Sequence, residues 1–186
     1  MNIPFDVTGK KFESKRLIFR PFEEKDLNDF YEYSSVPGIQ ETAGRRSHDS
    51  IDVSKHALSK LMERKNTFAI VLKENGKVIG TLCFHGSWSS SNESYKHLKA
   101  KELGCVISTE YQGRGMATEV AFAAIDYGFN TIGLDAVAIA HISENAASKK
   151  IAEKCGFKYI ETGVYHSKEL GKTFDDIRHI LIRDSL

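Results

Sequence analysis

The chain has 186 residues, 41% hydrophobic and 27% charged, a composition suited to one soluble globular domain with a sizeable core. Its 26 basic and 25 acidic residues leave a formal net charge of +1, which excludes bulk electrostatic binding to nucleic acid or to a membrane surface. No apolar segment is long enough to span a bilayer.

Residues 1–14 read as an extended leader, with no basic start and apolar run of a signal peptide. Arg16 to Arg20 alternates polar and apolar residues and reads as a strand that Pro21 ends. Glu23 to Asp26 opens a helix with acidic residues in its first turn. Leu27, Phe30, Tyr31 and Ser34 mark its inner stripe, and Val36-Pro37-Gly38 stops it. Residues 39–49 form a loop carrying Glu41, Arg45, Arg46 and His48. A second helix is expected over 50–64, with Val53, Ala57, Leu58, Leu61 and Met62 inward.

Thr67 to Leu72 and Val78 to Phe84 read as strands joined by a hairpin at Asn75-Gly76. A long polar connection, 86–99, carries Trp88 and Tyr95. Strand 102–108, helix 115–129 and strand 135–140 make a parallel crossover unit. Asn145 starts a short helix through Lys154, closed by Gly156. Residues 157–160 and 177–182 read as a last antiparallel pair. No repeat or linker divides the chain, so residues 1–186 are read as one domain. The three cysteines, Cys83, Cys105 and Cys155, lack C-x-x-C spacing and sit in apolar runs. They read as buried free thiols and point to a reducing, cytoplasmic setting.

Tyr111-Gln112-Gly113-Arg114-Gly115-Met116-Ala117-Thr118-Glu119 joins the strand to the helix of the crossover. Two glycines there allow a sharp turn and close approach of a ligand. Free N–H groups at a helix start, with the positive end of the dipole behind them, favour a phosphate. A P-loop needs Gly-Lys-Ser/Thr, but Met116 follows Gly115. A dinucleotide fingerprint needs a third glycine where Thr118 stands.

The loop Gln112-Gly113-Arg114-Gly115-Met116-Ala117 resembles the acetyl-CoA loop of the GNAT superfamily of N-acetyltransferases. Thr118-Glu119, the block Asn145-Ala146-Ala147-Ser148, the run Glu153-Lys154-Cys155-Gly156-Phe157 and the opening Arg16 to Pro21 with Asp26-Leu27 resemble its ribosomal-protein-alanine acetyltransferase branch. The resemblance runs from about residue 14 to the end, and two blocks in the right order are more specific than one glycine loop. It implies an α/β fold of the α+β type: one mixed sheet of about six or seven strands, about four flanking helices and a splayed parallel pair at the centre. It implies acetyl-CoA as co-substrate, no metal, and a primary amine as acceptor. That amine is either the N-terminal amine of a ribosomal or other protein, or a small amine such as an amino acid, polyamine or antibiotic. A homodimer is within its range. The rival from another class is a non-catalytic acyl-CoA-binding module.

By the same resemblance, backbone groups of Gly113, Arg114, Gly115, Met116, Ala117 and Thr118 cradle the diphosphate beside Gln112. The pantetheine arm pairs with Cys105, Val106 and Ile107, and Asn145 bonds to it. The attacking α-amine has a pKa of about 8, so a modest base suffices. Glu102, an acidic residue on a central strand, is the first candidate, and His141 at a strand end is the second. Some relatives use a tyrosine general acid on the helix that is 145–154 here. This helix has none, which leaves Ser148, water or no acid. Arg45, Trp88 and Glu102 are the expected acceptor contacts, with Arg46, Tyr95, Asp175 and Asp176 as further candidates.

Overall fold

The computed structural model describes residues 1 and 3–183. Residue 2 of the expected leader and 184–186 of the expected domain lie outside the described residues. The strands are β1 (Phe12–Glu13), β2 (Leu17–Pro21), β3 (Thr67–Leu72), β4 (Val78–Gly86), β5 (Ala100–Ile107), β6 (Ala136–Ile142), β7 (Lys158–Ser167) and β8 (Lys172–Ile182). The helices are α1 (Leu27–Ser34), α2 (Ile51–Arg64), α3 (Met116–Asp126) and α4 (Ala146–Lys154). One sheet holds all eight strands in the order β1-β2-β3-β4-β5-β6-β8-β7. The count exceeds the expected six or seven because the leader contributes β1, which pairs with β2. Among the described residues only β5 and β6 run parallel; the other neighbours are antiparallel.

That parallel pair is short. It covers Ala100–Glu102 against Ala136–Ala138 and then ends. On its other side β5 stays paired with β4 from Lys101 to Ile107. From Leu103 onward, the edge of β5 that faces β6 has no partner strand among the described residues. The crossover through α3 and a π-helical turn, Tyr127–Ile132, returns the chain to β6.

Alternate side chains of a strand face opposite sides. Leu103 and Ile107 of β5 and Val137 and Ile139 of β6 join the core under α3 and α4. Val106 packs on the opposite face with Phe30 and Tyr33 of α1 and Leu58 of α2. No helix among the described residues is long and apolar enough to cross a membrane.

Several local expectations shift by one or two positions along their helices. Tyr33, not Tyr31, is the buried tyrosine of α1, and its hydroxyl meets Thr81 Oγ1 of β4 at 2.6 Å. On α2, Val53 and Met62 are 46% and 37% exposed, while Ser54 and Leu58 are buried. Ser54 turns inward because its hydroxyl meets His48 Nδ1 at 2.7 Å, and that bond removes the penalty of a buried hydroxyl. Both last strands run longer than expected.

The leader is a packed element. The Phe12 ring stacks between Phe19 at 4.4 Å and Tyr127 at 4.1 Å, tying β1 to the end of the crossover. Phe12→Ala is expected to lower the unfolding free energy by about 3 kcal/mol. Denaturant titration with an unchanged m-value checks this.

Candidate active site

The glycine turn follows a single 3-10 turn, Thr109–Tyr111. Gly113 and Gly115 have φ of 73° and 74°, a left-handed conformation that costs glycine little. Gly115 is the N-cap of α3, and no side chain caps that end. The first N–H groups of Met116, Ala117 and Thr118 therefore stay open for an outside acceptor. Glu119 would oppose an anion here, but it is engaged. Its carboxylate accepts from Ser14 Oγ, Arg16 N and Arg16 Nε at 2.7, 2.8 and 2.6 Å. Burial pushes the carboxyl up, yet these bonds outweigh it and hold the group below its usual range.

Gln112 does not point into the turn. Its Nε2 donates to the Ile107 carbonyl at 2.9 Å and closes the end of β5. Arg114 is exposed and lies over the Tyr111 ring at 5.6 Å. Asn145 caps α4: its Oδ1 accepts from Ser148 N at 3.0 Å, and its Nδ2 donates to the Thr42 carbonyl at 3.1 Å. Ser148 is half-buried in the first turn of that helix.

Cys105 corrects an expectation. Cys83 and Cys155 are buried, but Cys105 is exposed. It shares the α3 side of β5 with Leu103 and Ile107, at the level where β6, still paired with β8, has parted from β5. The residue is exposed, while burial of its thiol pushes the pKa up to about 12.

Ala100, Glu102, Gly104 and Val106 point to the face of α1 and α2. Glu102 is half-buried there, and its Oε2 accepts from Trp88 N at 3.4 Å. Burial pushes its pKa up to about 7; the Trp88 N–H and the charge of Arg178 pull down, and Asp176 pushes up. A carboxylate poised near neutrality can take a proton from an ammonium or a bound water. Arg178 lies over the Trp88 ring at 5.7 Å and holds Asp176 and Glu161, each at 2.9 Å. Trp88 and Tyr95 pack edge to face at 6.4 Å against Ala100, Ala136 and Ile180, so they seat the 86–99 connection on the sheet.

The structure does not bring His141 to this carboxylate. Ala136 lines the Glu102 side of the sheet, so Ala138 and Ala140 follow it and His141 faces α4. His141 stacks on His179 at 5.3 Å in a cavity of about 470 Å³ that Lys149 and Glu153 also line. Arg45 and Arg46 part from each other. Arg46 Nε donates to the Glu169 carbonyl at 2.6 Å. Arg45 is half-buried and has no ion pair among the described residues. Its charge bears on Tyr33, Cys83 and His85. Asp175 is exposed.

Sequence reasoning missed Tyr33, Thr81, Cys83 and His85, which line the same face. The strand that carries three of them is nearly all apolar, so its alternation gave no sign of which side was open. Among the described residues no group of His, Cys, Asp or Glu is placed to hold a metal ion.

Residues 16–158 match the family model of the acetyltransferase (GNAT) domain. The chain belongs to the GNAT acetyltransferase family. It is an acyltransferase, with the mixed sheet and parted parallel pair of that fold. An uncharacterized N-acetyltransferase of Bacillus subtilis is 26% identical over 145 residues, covering 78% of this chain and 81% of the relative. The spermidine N(1)-acetyltransferase of Escherichia coli is 39% identical over 64 residues, 34% of each chain. Among solved structures, a GNAT-family acetyltransferase of Bacillus anthracis superposes with a TM-score of 0.80 at 21% identity, covering 94% of this chain and 99% of that one. A ribosomal-protein-S5-alanine acetyltransferase of Vibrio fischeri gives 0.71 at 23% identity, covering 94% and 97%. A spermidine N-acetyltransferase of Vibrio cholerae, in complex with CoA and spermine, gives 0.71 at 20% identity, covering 91% and 96%. At these identities the structures share the fold with this GNAT chain.

Proposed function

We propose that this GNAT protein transfers the acetyl group of acetyl-CoA to a primary amine, with Glu102 as the general base. The observation that carries the reading is the pairing of two features at the ends of one strand. At one end of β5 stands an uncapped helix start behind the Gly113 and Gly115 turn. At the other stands a half-buried carboxyl with a pKa raised to about 7.

The residues fit the cofactor. The open N–H groups of Gly113 to Thr118 suit a diphosphate, and the engaged Glu119 does not oppose it. The unpaired edge of β5 at Cys105, Val106 and Ile107 offers N–H and C=O groups to the amides of a pantetheine arm. When bound, the thioester supplies the activated acyl group. On the other face, Glu102 accepts the proton that the amine loses on attack. Ser148 and water are the groups at hand for the leaving thiolate.

The acceptor favoured here is the N-terminal amine of a ribosomal or other protein. The two sequence blocks of that branch support it, as does the ribosomal-protein acetyltransferase fold of a solved neighbour. A second reading, a polyamine acceptor, has its own support in the 39% identity to a spermidine acetyltransferase over 64 residues. Thiol release from acetyl-CoA decides between them, using peptides with free N-termini beside spermidine and spermine. Peptide turnover at least tenfold above either polyamine in kcat/KM is expected. Polyamine turnover of that rank would transfer the assignment to the second reading, and CoA binding without turnover on any amine would overturn both.

A further inference from the structure

His85 has no part in the reading so far, yet its position is constrained from three sides. It stands near the end of β4 on the Glu102 face, directly across from Glu102. Its ring lies over β5 at Gly104, where an added Cβ would come 2.8 Å from Nε2. Any side chain at 104 would expel the imidazole, so glycine is what keeps this approach open. On the third side, Cys83 Sγ lies 3.3 Å from Nδ1.

Those contacts favour one tautomer of the ring. Burial pushes the Cys83 thiol up to about 11. Burial, then the charges of Arg45, Arg64 and Lys101, push His85 down to about 4. Both groups are neutral near pH 7. Sulfur is a weak acceptor and an imidazole nitrogen a strong one, so the thiol donates to Nδ1 and the ring proton sits on Nε2. Thr67 Oγ1 lies 3.3 Å from Sγ and 3.0 Å from Asn66 Oδ1. The Nε2–H has no partner among the described residues. It stands over β5 just past Glu102, the last residue of β5 that β6 pairs.

We propose that the Nε2–H of His85 donates a hydrogen bond to the carbonyl oxygen of the acetyl thioester and stabilises the oxyanion formed there. The assignment rests on the cofactor path proposed above. With the diphosphate at Gly113 to Thr118 and the arm running back past Ile107, Val106 and Cys105, the thioester arrives beside Gly104. A donor at that point has one productive partner. The amine needs its only lone pair for attack, whereas the carbonyl oxygen gains charge as the C=O π pair moves onto it. The N–C bond forms and the ammonium proton passes to Glu102. The π bond then re-forms and the C–S bond breaks, giving a thiolate that takes up a proton. His85 neither gains nor loses a proton in this sequence.

The test compares His85→Ala, His85→Gln and Gly104→Ala, measuring thiol release and, separately, CoA affinity by calorimetry. His85→Ala is expected to lower kcat about 100-fold, with KM for acetyl-CoA and CoA affinity within about threefold of wild type. The pH at which the rate rises, set by Glu102, stays in place. His85→Gln, which offers an amide N–H at similar reach, recovers about tenfold of the loss. Gly104→Ala reproduces the loss by displacing the ring, and adds little to His85→Ala. A wild-type kcat in His85→Ala, an equal fall in kcat and CoA affinity, or full additivity with Gly104→Ala would overturn the donor assignment while leaving the cofactor path intact. Failure of the wild-type protein to bind CoA would overturn the path and the assignment together.

Discussion

Gly115→Asp is expected to weaken CoA binding by at least about 100-fold, or roughly 3 kcal/mol, while the protein stays folded. Position 115 is exposed and left-handed, and Asp tolerates that conformation better than most residues. The new carboxylate would stand at the open end of α3, where it competes for the N–H groups that a diphosphate needs and repels its charge. Arg16, whose Nη2 lies 3.8 Å from the new Cβ, is already committed to Glu119 through Nε and to the Arg114 carbonyl through Nη1. Gly115→Asn separates charge from backbone strain and should bind CoA within about tenfold of wild type. Calorimetry with CoA reads both. Equal affinity in the Asp variant and the wild type would remove the diphosphate from this turn.

Glu102→Gln is expected to lower kcat about 100-fold at pH 8, the usual scale for loss of a positioned base. The wild-type rate should climb as pH rises through about 7, where Glu102 loses its proton, and the variant should lose that inflection. Stability moves the other way. In the unfolded chain this carboxyl ionises near about 4.3, and in the fold near about 7. The folded state therefore holds its proton more tightly. Stability is fully present below the unfolded value and declines as pH rises through the folded one. Glu102→Gln should therefore raise Tm at pH 8 and leave it nearly unchanged at pH 4, as read by thermal melts. A variant with unchanged kcat and Tm at pH 8 would show that the carboxylate is neither the base nor desolvated.

The features legible in the sequence were those with local chemistry. Asn75-Gly76 announced its hairpin, and the turn at Gly113 and Gly115 announced itself because left-handed backbone calls for glycine at a strand-to-helix junction. Asn145 announced its cap. Glu102 stood out because a carboxylate within an apolar strand needs a reason. Other residues depended on contacts distant in the chain. His141 is the same residue type at the same strand end whichever way it faces; only its pairing in the sheet turns it toward α4. His85 becomes visible only when β4 is set against β5 and the missing Cβ of Gly104 makes room for its ring. Ser54 lies outside the expected inward stripe of α2, and only His48, six residues away, gives it a buried partner. Loop 39–49 has no periodicity to read, and it is held by distant groups, among them Ser167 bonding the Gly44 carbonyl at 2.6 Å.

The bond from Asn145 Nδ2 to the Thr42 carbonyl joins elements 103 positions apart in the chain. Asn145 belongs to the helix start beside the cofactor gap, and Thr42 belongs to the loop that carries Arg45. The Asn145 NH2 carries two protons, so a ligand that accepts from it joins Thr42 in sharing that group, and any shift of the amide toward the ligand exchanges restraint on loop 39–49 for contact with the ligand. Such an exchange is a coupling free energy, and coupling is reciprocal: whatever the first substrate does to the affinity for the second, the second returns in equal measure. Under the proposed function, the acetyl-CoA side and the acceptor side of the cleft are thereby linked through one side chain.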